Sequence, residues 1–361
     1  MADPLKELFN AARFRQIADL LADIEPGFDS RRFLRLATTG LEPLSLLQRI
    51  RHGTVALRAT LPQDYPTALA VLRKLAPRLD GGFTGLMLPD FVGVHGHGHF
   101  EESMEALHFL TRFSSGEFAI REFLRRDLHR TLAVMRQWAG DGNEHVRRLA
   151  SEGSRPRLPW SFRLEALVAD PAPAVPILEQ LKADPSLYVR KSVANHLNDI
   201  SKDHPEWLLG WIRPWDQAQP TTAWILKRGL RSLIKAGDAR ALRVFNFTAR
   251  PTVRLKNFRL SPAKLRLGQV LEFGFDLEST SARTQRLVVD YALHYMKKSG
   301  ATAPKVFKLR EVTLAPHATM KLSRRQRLRD FTTRKHHPGR HRVEILVNGR
   351  ILGGGSFVLH T

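Results

Sequence analysis

Hydrophobic positions recur every three or four residues through the first two thirds of the chain, beginning with the segment 5–24. This spacing predicts amphipathic helices. Further segments of this kind cover 30–37, 43–57, 65–79, 101–113, 117–124, 127–139, 144–152, 162–168, 174–183, 187–201, 205–213 and 221–236. Proline or glycine separates many of them, and alternating strand patterns are nearly absent before about residue 240. A dozen or so short helices joined by tight turns indicate an α-solenoid rather than an α/β enzyme.

Three of these segments place an aliphatic residue directly before an arginine, with further apolar residues three or four positions on: 118–121, 145–148 and 188–191. Around the third, Asp184 can cap a helix whose first turn contains Pro185. The buried stripe of that helix then consists of Val189, Val193, Leu197 and Ile200. This pattern resembles the second helix of a HEAT repeat. Because the three segments are irregularly spaced, we predict HEAT-like repeats rather than a regular array.

After residue 250 the pattern changes to short β-rich segments: 270–277, 286–295, 305–314 and 342–352. Several of them alternate apolar and polar residues, and Asn348-Gly349 is a hairpin signal. About seven strands in this length predict an immunoglobulin-like β-sandwich. The chain is therefore predicted to be mainly α, with an α-solenoid of HEAT-like helical repeats over residues 1–245 and a small immunoglobulin-like β-sandwich domain over residues 251–361.

The charge balance adds a binding partner to this picture. The chain has 57 lysines and arginines against 35 acidic residues, a net charge of +22, and residues 251–361 contain 22 of the basic residues and only 7 acidic ones. Such self-repulsion strains a compact fold unless a polyanion lies nearby. Nucleic acid is the first candidate. Ribosomes, anionic membrane surfaces, a genome that favours arginine and a merely soluble accessory domain remain alternatives.

Several kinds of site are excluded. The absence of cysteine excludes disulfides, thiolate nucleophiles and iron–sulfur centres, and the sequence has no phosphate loop, dinucleotide fingerprint, zinc-protease helix or nucleophile elbow. His95, His97 and His99 alternate with glycine in a segment that we expect to be flexible, so we predict no metal and no cofactor. With no long apolar run and no signal peptide, we expect no membrane association and a cytoplasmic bacterial monomer, bound to the nucleoid when it is on DNA.

Acidic residues within the basic solenoid are the more informative feature, because carboxylates on a phosphate-binding face would weaken binding. On the segment 187–201, a polar stripe runs beside the apolar one and places Asp199 toward the groove. The equivalent stripe of the preceding helix contains Arg148 and Glu152. The proline-rich loop 155–160 then presents Trp160 on a stiff backbone.

Residues 149–160 and 188–205 resemble signature stretches of the AlkC-type DNA alkylation repair glycosylases, of the HEAT-like repeat (AlkC/AlkD) superfamily. The resemblance extends to 103–107 and 114–121 and covers roughly residues 1–240. It implies an enzyme that hydrolyses the N-glycosidic bond of cationic bases, such as 3-methyladenine and 3-methylcytosine, in double-stranded DNA. The family's functional residues map onto Asp199, Glu152, Trp160 and Glu117. We expect phosphates to be bound by Arg148, Arg155, Arg157, Arg190 and Lys191.

Each of the four functional positions also has a structural interpretation, in which it caps a helix, forms an ion pair or fills the core: Glu117 with Ser114, Glu152 with Arg148 or Arg155, Asp199 with Arg190 or Lys202, and Trp160 in the interior. Family members often read Ser-Ser-Glu-Phe where Gly116 intervenes here, which makes the alignment of Glu117 the least direct. The alternative for the whole chain is a non-catalytic HEAT-like scaffold that binds damaged or branched DNA.

Overall fold

The computed structural model describes residues 5–331 and 335–360. The chain packs as two compact units: one comprises the residues up to His204 together with Pro214–Gly229, and the other comprises Pro205–Arg213 and the chain from Leu230 onward. The division at 245–251 predicted from the sequence follows the change from helix to strand. The compact units divide earlier, because the helices after Leu230 pack with the strands. Lys235 Nζ, for example, donates a 3.0 Å hydrogen bond to the carbonyl of Val306.

Sixteen α-helices lie within the described residues: α1 Ala11–Ile24, α2 Ser30–Thr38, α3 Leu46–Thr60, α4 Tyr65–Leu75, α5 Met87–His95, α6 Phe100–Leu110, α7 Ile120–Arg126, α8 Leu128–Trp138, α9 Glu144–Gly153, α10 Glu165–Ala169, α11 Val175–Leu181, α12 Leu187–Asp203, α13 Pro205–Trp211, α14 Pro220–Gly229, α15 Arg231–Ala236 and α16 Ala239–Val244. Short 3₁₀ turns occur at Leu5–Leu8, Ala76–Arg78, Gly82–Gly85 and Ala172–Ala174. Across this part of the chain, none of the helices combines the length and the apolar character that crossing a bilayer requires.

In the first unit each helix packs mainly on helices close to it in sequence: α1 on α2, α2 on α3, α7 on α8, α8 on α9, and α12 on both α9 and α14. The predicted apolar stripe of α12 is confirmed, since all four of its residues are at most 1% exposed. This local stacking is the HEAT-like arrangement predicted from the sequence. Because α12 lies between α9 and α14, its polar residues meet side chains of the preceding repeat.

Two local expectations were wrong. Asp184 does not cap α12: the Ser186 hydroxyl accepts the backbone N–H of Tyr188 at 3.2 Å, whereas the Asp184 carboxylate binds the Arg147 guanidinium at 2.7 and 3.2 Å. The histidine segment, expected to be flexible, begins inside α5. That helix gave no amphipathic signal because six of its nine residues are buried, which leaves it almost no polar face.

The three histidines of that segment pack against separate aromatic rings. The ring-centroid distances are 5.0 Å for His95 on Phe91, 5.3 Å for His97 on Phe123 and 4.9 Å for His99 on Tyr65. Within residues 5–331 and 335–360, no group of three or more histidines and carboxylates is placed to hold a metal ion. In this structure the three histidines therefore serve as packing residues.

Eight strands lie in the described part of the second unit: β1 Val253–Ser261, β2 Lys264–Arg266, β3 Val270–Ser279, β4 Gln285–Met296, β5 Thr302–Leu314, β6 Thr319–Arg327, β7 Gly339–Val347 and β8 Arg350–His360. They form a three-stranded sheet, β1-β3-β6, and a five-stranded sheet, β2-β8-β7-β4-β5. Residues of both sheets share one apolar core, which includes Phe273, Tyr291 and Phe357. The predicted β-sandwich is confirmed.

The predicted hairpin joins β7 to β8. Val347 pairs with Arg350, which leaves the two-residue turn Asn348-Gly349 with φ of +47° and +80°. Positive φ at both positions is the geometry that asparagine followed by glycine favours. The Asn348 side chain also accepts the N–H of Val288 at 2.6 Å, which ties the turn to β4.

We predict that Gly153→Ala destabilises the first unit. A Cβ at Gly153, the last residue of α9, would lie 2.4 Å from Cγ2 of Ile120 and 3.2 Å from Cε of Met135. Overpacking of this kind costs about 1–3 kcal/mol. Urea unfolding followed by tryptophan fluorescence measures the effect. Gly142→Ala is the control, because nothing lies within 4 Å of its added Cβ. Equal unfolding midpoints for the two variants would show that α9 is free to shift.

Candidate active site

Two buried carboxylates from different helices share one guanidinium. Asp199 of α12 is 2% exposed and Glu152 of α9 is 6% exposed. Between them, Arg155 donates from Nε to Asp199 Oδ2 at 2.9 Å and from Nη1 to Glu152 Oε1 at 2.7 Å. Two carboxylates that bind the same guanidinium repel each other, and burial disfavours negative charge further. The shared guanidinium offsets both effects.

A second arginine extends this pairing to Glu117. Arg148 of α9 lies 3.5 Å from the Glu152 carboxylate, forms an ion pair with Glu117 and donates to the Ser115 hydroxyl at 2.8 Å. The ring of Tyr188 covers its guanidinium with a centroid distance of 5.0 Å. The site is thus a row of alternating charges that runs from Glu117 to Asp199.

Neighbouring charges shift the pKa values of Glu152 and Arg148. Burial alone would raise the pKa of Glu152, but the positive charges of Arg148 and Arg155 outweigh it, so the pKa of this carboxyl lies below its usual value. For Arg148, burial favours the neutral form, while Glu117 and Glu152 act against it more strongly, and the pKa of the guanidinium is raised. Both side chains are therefore charged at neutral pH.

At the α12 end of the row, two aspartates of the helix bind basic side chains. Lys202 Nζ lies 3.0 Å from Asp199 Oδ1. One turn along the helix, Asp203 receives two hydrogen bonds from Arg157, at 2.6 and 2.7 Å. Arg155 and Arg157, two residues apart in the loop, thus bind carboxylates four residues apart on one face of the helix. These contacts fix the loop against α12.

Buried Arg121 fixes the same loop from within. Its side chain is fully buried, and its guanidinium donates to the carbonyls of Gly153 at 3.0 Å and Arg155 at 2.6 Å, and to that of Phe162. Burial, together with the charge of Arg155, lowers the pKa of Arg121 to about 10, which leaves it cationic at neutral pH. The loop between α9 and α10 is therefore anchored at both ends.

Trp160 lies on this anchored loop. Its φ is +67°, a left-handed conformation that bulky residues rarely adopt, and its side chain is 57% exposed. It borders a cavity of about 280 Å³ whose lining also includes Phe83, Phe118, Tyr188, His145, Glu117 and Arg148. The centroids of the Phe83 and Trp160 rings lie 6.2 Å apart. The cavity therefore has aromatic walls and one end of the charge row beside it.

The structure thus brings together the three predicted carboxylates, and their structural interpretations are partly correct. Glu152 forms ion pairs with Arg148 and Arg155. Asp199 forms ion pairs with Arg155 and Lys202. Glu117 pairs with Arg148, while Ser114, its proposed capping partner, donates to the carbonyl of Gly82 at 2.7 Å. Trp160 is exposed, so it is not a core residue.

The five predicted DNA-binding cations differ in the partners that their side chains bind within the protein. Arg148, Arg155 and Arg157 bind carboxylates of the protein itself. Arg190 donates to the carbonyls of residues 184 and 185, at 2.9 and 2.7 Å, and Lys191 is exposed to solvent. Sequence reasoning did not assign roles to Arg121, Tyr188 or Phe83. Arg121 and Tyr188 do belong to the repeated segments 118–121 and 188–191, but Phe83 gave no comparable signal.

Two protein-family models match the chain: "DNA alkylation repair enzyme" over residues 113–233 and the C-terminal Ig-like domain of uncharacterised protein YhaZ over residues 254–361. Uncharacterized protein YhaZ of Bacillus subtilis (strain 168) is 42% identical over 352 residues, which cover 97% of this chain and 98% of YhaZ. Pseudomonas fluorescens alkylpurine DNA glycosylase AlkC, solved bound to DNA containing an abasic site analog, is 52% identical, with a TM-score of 0.93 over 99% of this chain and 100% of that one. The chain belongs to the AlkC family of DNA alkylation repair enzymes.

Membership of the AlkC family confirms the resemblance inferred from residues 149–160 and 188–205. The repair-enzyme match includes the whole charge row and Trp160. The second match confirms that the β-sandwich of this AlkC-type chain is immunoglobulin-like.

For this AlkC-type protein, we predict that Arg148→Met lowers stability in a pH-dependent way. At pH 7 the change leaves Glu117 and Glu152 without a shared cation, and breaking such a pair costs up to about 3 kcal/mol. Because the folded-state pKa of Glu152 is lowered, the stability that it contributes is present above its unfolded pKa and is lost as the pH falls through the folded value. The difference from the parent should therefore shrink below about pH 4.3, the ordinary pKa of glutamate.

Urea unfolding at pH 7 and at pH 4 tests this prediction. Arg73→Met is the control, because the pair of Arg73 with Glu105 is exposed and 3.5 Å long. A loss for Arg148→Met that is the same at both pH values would contradict the ionised charge row.

Proposed function

We propose that this AlkC-type chain is a DNA glycosylase that hydrolyses the N-glycosidic bond of cationic alkylated bases, 3-methyladenine and 3-methylcytosine, in double-stranded DNA. The observation that carries the proposal is the row of Glu117, Glu152 and Asp199, linked by arginines, whose Glu117 end borders an aromatic cavity in a protein with a net charge of +22. Carboxylates weaken phosphate binding, but they suit a cationic base. The AlkC relative was solved on DNA that contains an abasic site analog, a mimic of the product of base removal, which supports the same reaction class.

The leaving group needs little help in this reaction. A base alkylated at a ring nitrogen carries a positive charge. When the bond from C1′ to the base breaks, its electron pair moves to the base and neutralises that charge. No general acid is required, which fits a site in which the pKa of Glu152 is lowered. The sugar presents the greater difficulty, because it becomes an oxocarbenium ion.

Asp199 is the carboxylate that we assign to the sugar. A carboxylate held close to the developing cation stabilises it electrostatically, as in glycoside hydrolysis. The oxygen of a water molecule then bonds to C1′, and Asp199 orients this water and accepts its proton. The products are a neutral free base and an abasic sugar. The hydrogen bond from Arg155 Nε and the ion-pair contact of its Nη2, each 2.9 Å from Oδ2, hold Asp199 in one orientation throughout.

The aromatic cavity is the site that we assign to the alkylated base. The face of an aromatic ring attracts a cation, and tryptophan does so most strongly. Trp160, Phe83 and Tyr188 border the cavity, and Glu117 and Glu152 add negative potential at the end where the charge row begins. A neutral base of the same shape gains neither effect, so the cavity selects for positive charge.

Phosphate binding requires cations that are not already paired. Lys191 is exposed on α12, and the segment 251–361 carries 22 basic residues. We propose that these groups supply the salt-dependent affinity for the duplex, and that the protein acts as a monomer on cytoplasmic DNA. In this role the arginines of the charge row order the carboxylates rather than bind phosphate.

Asp199→Asn tests the catalytic assignment. The change keeps the shape of the side chain and removes the charge that stabilises the sugar, so single-turnover release of 3-methyladenine should fall at least about 100-fold. Free methylated bases are quantified by mass spectrometry after incubation with methylated duplex. Asp184→Asn is the matched control, because it changes another buried aspartate paired with an arginine, Arg147, outside the charge row, and it should retain most of the activity. Base release by Asp199→Asn at the parental rate would refute the assignment. A parent protein that binds the duplex but releases no base would indicate a scaffold instead.

Trp160→Ala tests the cavity. Loss of the indole should slow release of cationic bases by roughly tenfold, in line with the strength of a cation–π contact, while Trp160→Phe should lose less. Because the side chain is 57% exposed, we expect the free energy of unfolding to change little. Trp207→Ala, which also removes a partly exposed indole, is the control. Unchanged release by Trp160→Ala would exclude the indole from base binding.

A further inference from the structure

The two oxygens of the Asp199 carboxylate are held by partners of different character. Oδ2 is bound by Arg155, whose side chain is only 7% exposed, and Oδ1 is bound by Lys202, whose side chain is 47% exposed. The carboxylate itself is 2% exposed. In the free protein, therefore, Lys202 covers the Oδ1 edge of Asp199 and neutralises it from the solvent side.

We propose that Lys202 transfers from Asp199 to a DNA phosphate when the duplex binds, which uncovers Oδ1 for the sugar. The inference rests on the proposed role of Asp199 in catalysis. It makes Lys202 a positioning residue: in the free protein it holds the carboxylate, and in the complex it binds the nucleotide that the carboxylate acts on.

The chemistry of the sugar requires such a move. An ammonium group 3.0 Å from Oδ1 occupies the place where the developing oxocarbenium ion would have to lie, and two positive charges at that distance repel. A carboxylate close enough to C1′ to stabilise it is also close to the phosphates that flank the same nucleotide. A phosphate therefore comes within reach of Lys202 whenever the sugar reaches Asp199.

Of the three cations that bind Asp199 and Asp203 on α12, Lys202 is the one best suited to move. Its 47% exposure compares with 22% for Arg157 and 7% for Arg155. Each arginine makes two hydrogen bonds or more to carboxylates, whereas Lys202 makes a single bond to its neighbour three residues earlier. Only the Lys202 end of this ion pair is open to solvent, and lysine carries a compact charge on a flexible chain.

Two DNA duplexes separate transfer from a fixed pair. In one, the target nucleoside is replaced by a pyrrolidine, which is cationic at neutral pH and mimics the oxocarbenium ion. In the other it is replaced by a neutral tetrahydrofuran. Equilibrium binding of both is measured across a salt series for the parent, Lys202→Met, Lys202→Arg and Lys182→Met. Lys182 is the matched control, because it pairs with Glu179 at the same three-residue spacing and its side chain is 42% exposed.

If Lys202 transfers, Lys202→Met loses a phosphate contact on both duplexes. Affinity for each should fall roughly 3- to 10-fold at low salt, the slope of log affinity against log salt should decrease by about one, and the ratio of the two affinities should stay at the parental value. Lys202→Arg should restore most of the affinity, and Lys182→Met should bind as the parent does.

If Lys202 instead stays on Asp199 in the complex, its removal leaves an uncompensated carboxylate beside the cationic sugar mimic. The preference for pyrrolidine would then rise several-fold, and that result overturns the proposal whatever the affinity does. Unchanged affinity and salt slope overturn it too, because no phosphate contact was lost. Asp199→Asn separates the two proposals: if the parent prefers the cationic duplex no more than this variant does, the role of Asp199 itself fails.

Discussion

The site depends on one shared cation. Glu152 and Asp199 lie on different helices, and both are almost completely buried. Removing an ion from water costs several kcal/mol even after the protein relaxes, so buried carboxylates require paired charges. Arg155 supplies that charge to both at once. Arg121 donates to the backbone carbonyl of Arg155, so the loop backbone is fixed as well. The packing of α9 on α12 and the position of the loop therefore depend on each other.

The charge of the whole chain and the charge of the site act at different ranges. A net charge of +22 attracts a polyanion over distances comparable to the Debye length. At the cavity itself, Glu117 provides negative charge, and Glu152 follows it in the charge row beyond Arg148. In the proposed function, positive charge attracts the phosphate backbone to the protein, and the negative charge of the row favours a cationic base over the neutral bases around it. Neither property follows from the other.

Local patterns allowed much of the fold to be predicted, and contacts between distant residues accounted for what was missed. The apolar stripe of α12 and the Asn348-Gly349 turn depend on neighbouring residues, so their sequences are sufficient. The helix α5 has almost no polar face, so its sequence shows no three-to-four-residue hydrophobic periodicity. Family resemblance supplied the four candidate site residues, and Lys202 was correctly predicted as one partner of Asp199. The other partner, Arg155, was not predicted, because it lies 44 positions away and reaches Asp199 only once the loop has folded. The pairing of Arg157 with Asp203, 46 positions away, was not predicted for the same reason.

The charges around the site suggest why Arg121 binds carbonyls and no carboxylate. In the free protein, four cations, Arg121, Arg148, Arg155 and Lys202, surround the three carboxylates of Glu117, Glu152 and Asp199. Arg121 lies behind this group, fully buried, and its charge acts on all three acidic residues. If Lys202 leaves for a phosphate, Arg121 keeps the balance from the interior. The departure of Lys202 then exposes the Oδ1 edge of Asp199 to the sugar. The three carboxylates keep an equal number of cations around them, so no excess negative charge is left in the low-dielectric interior.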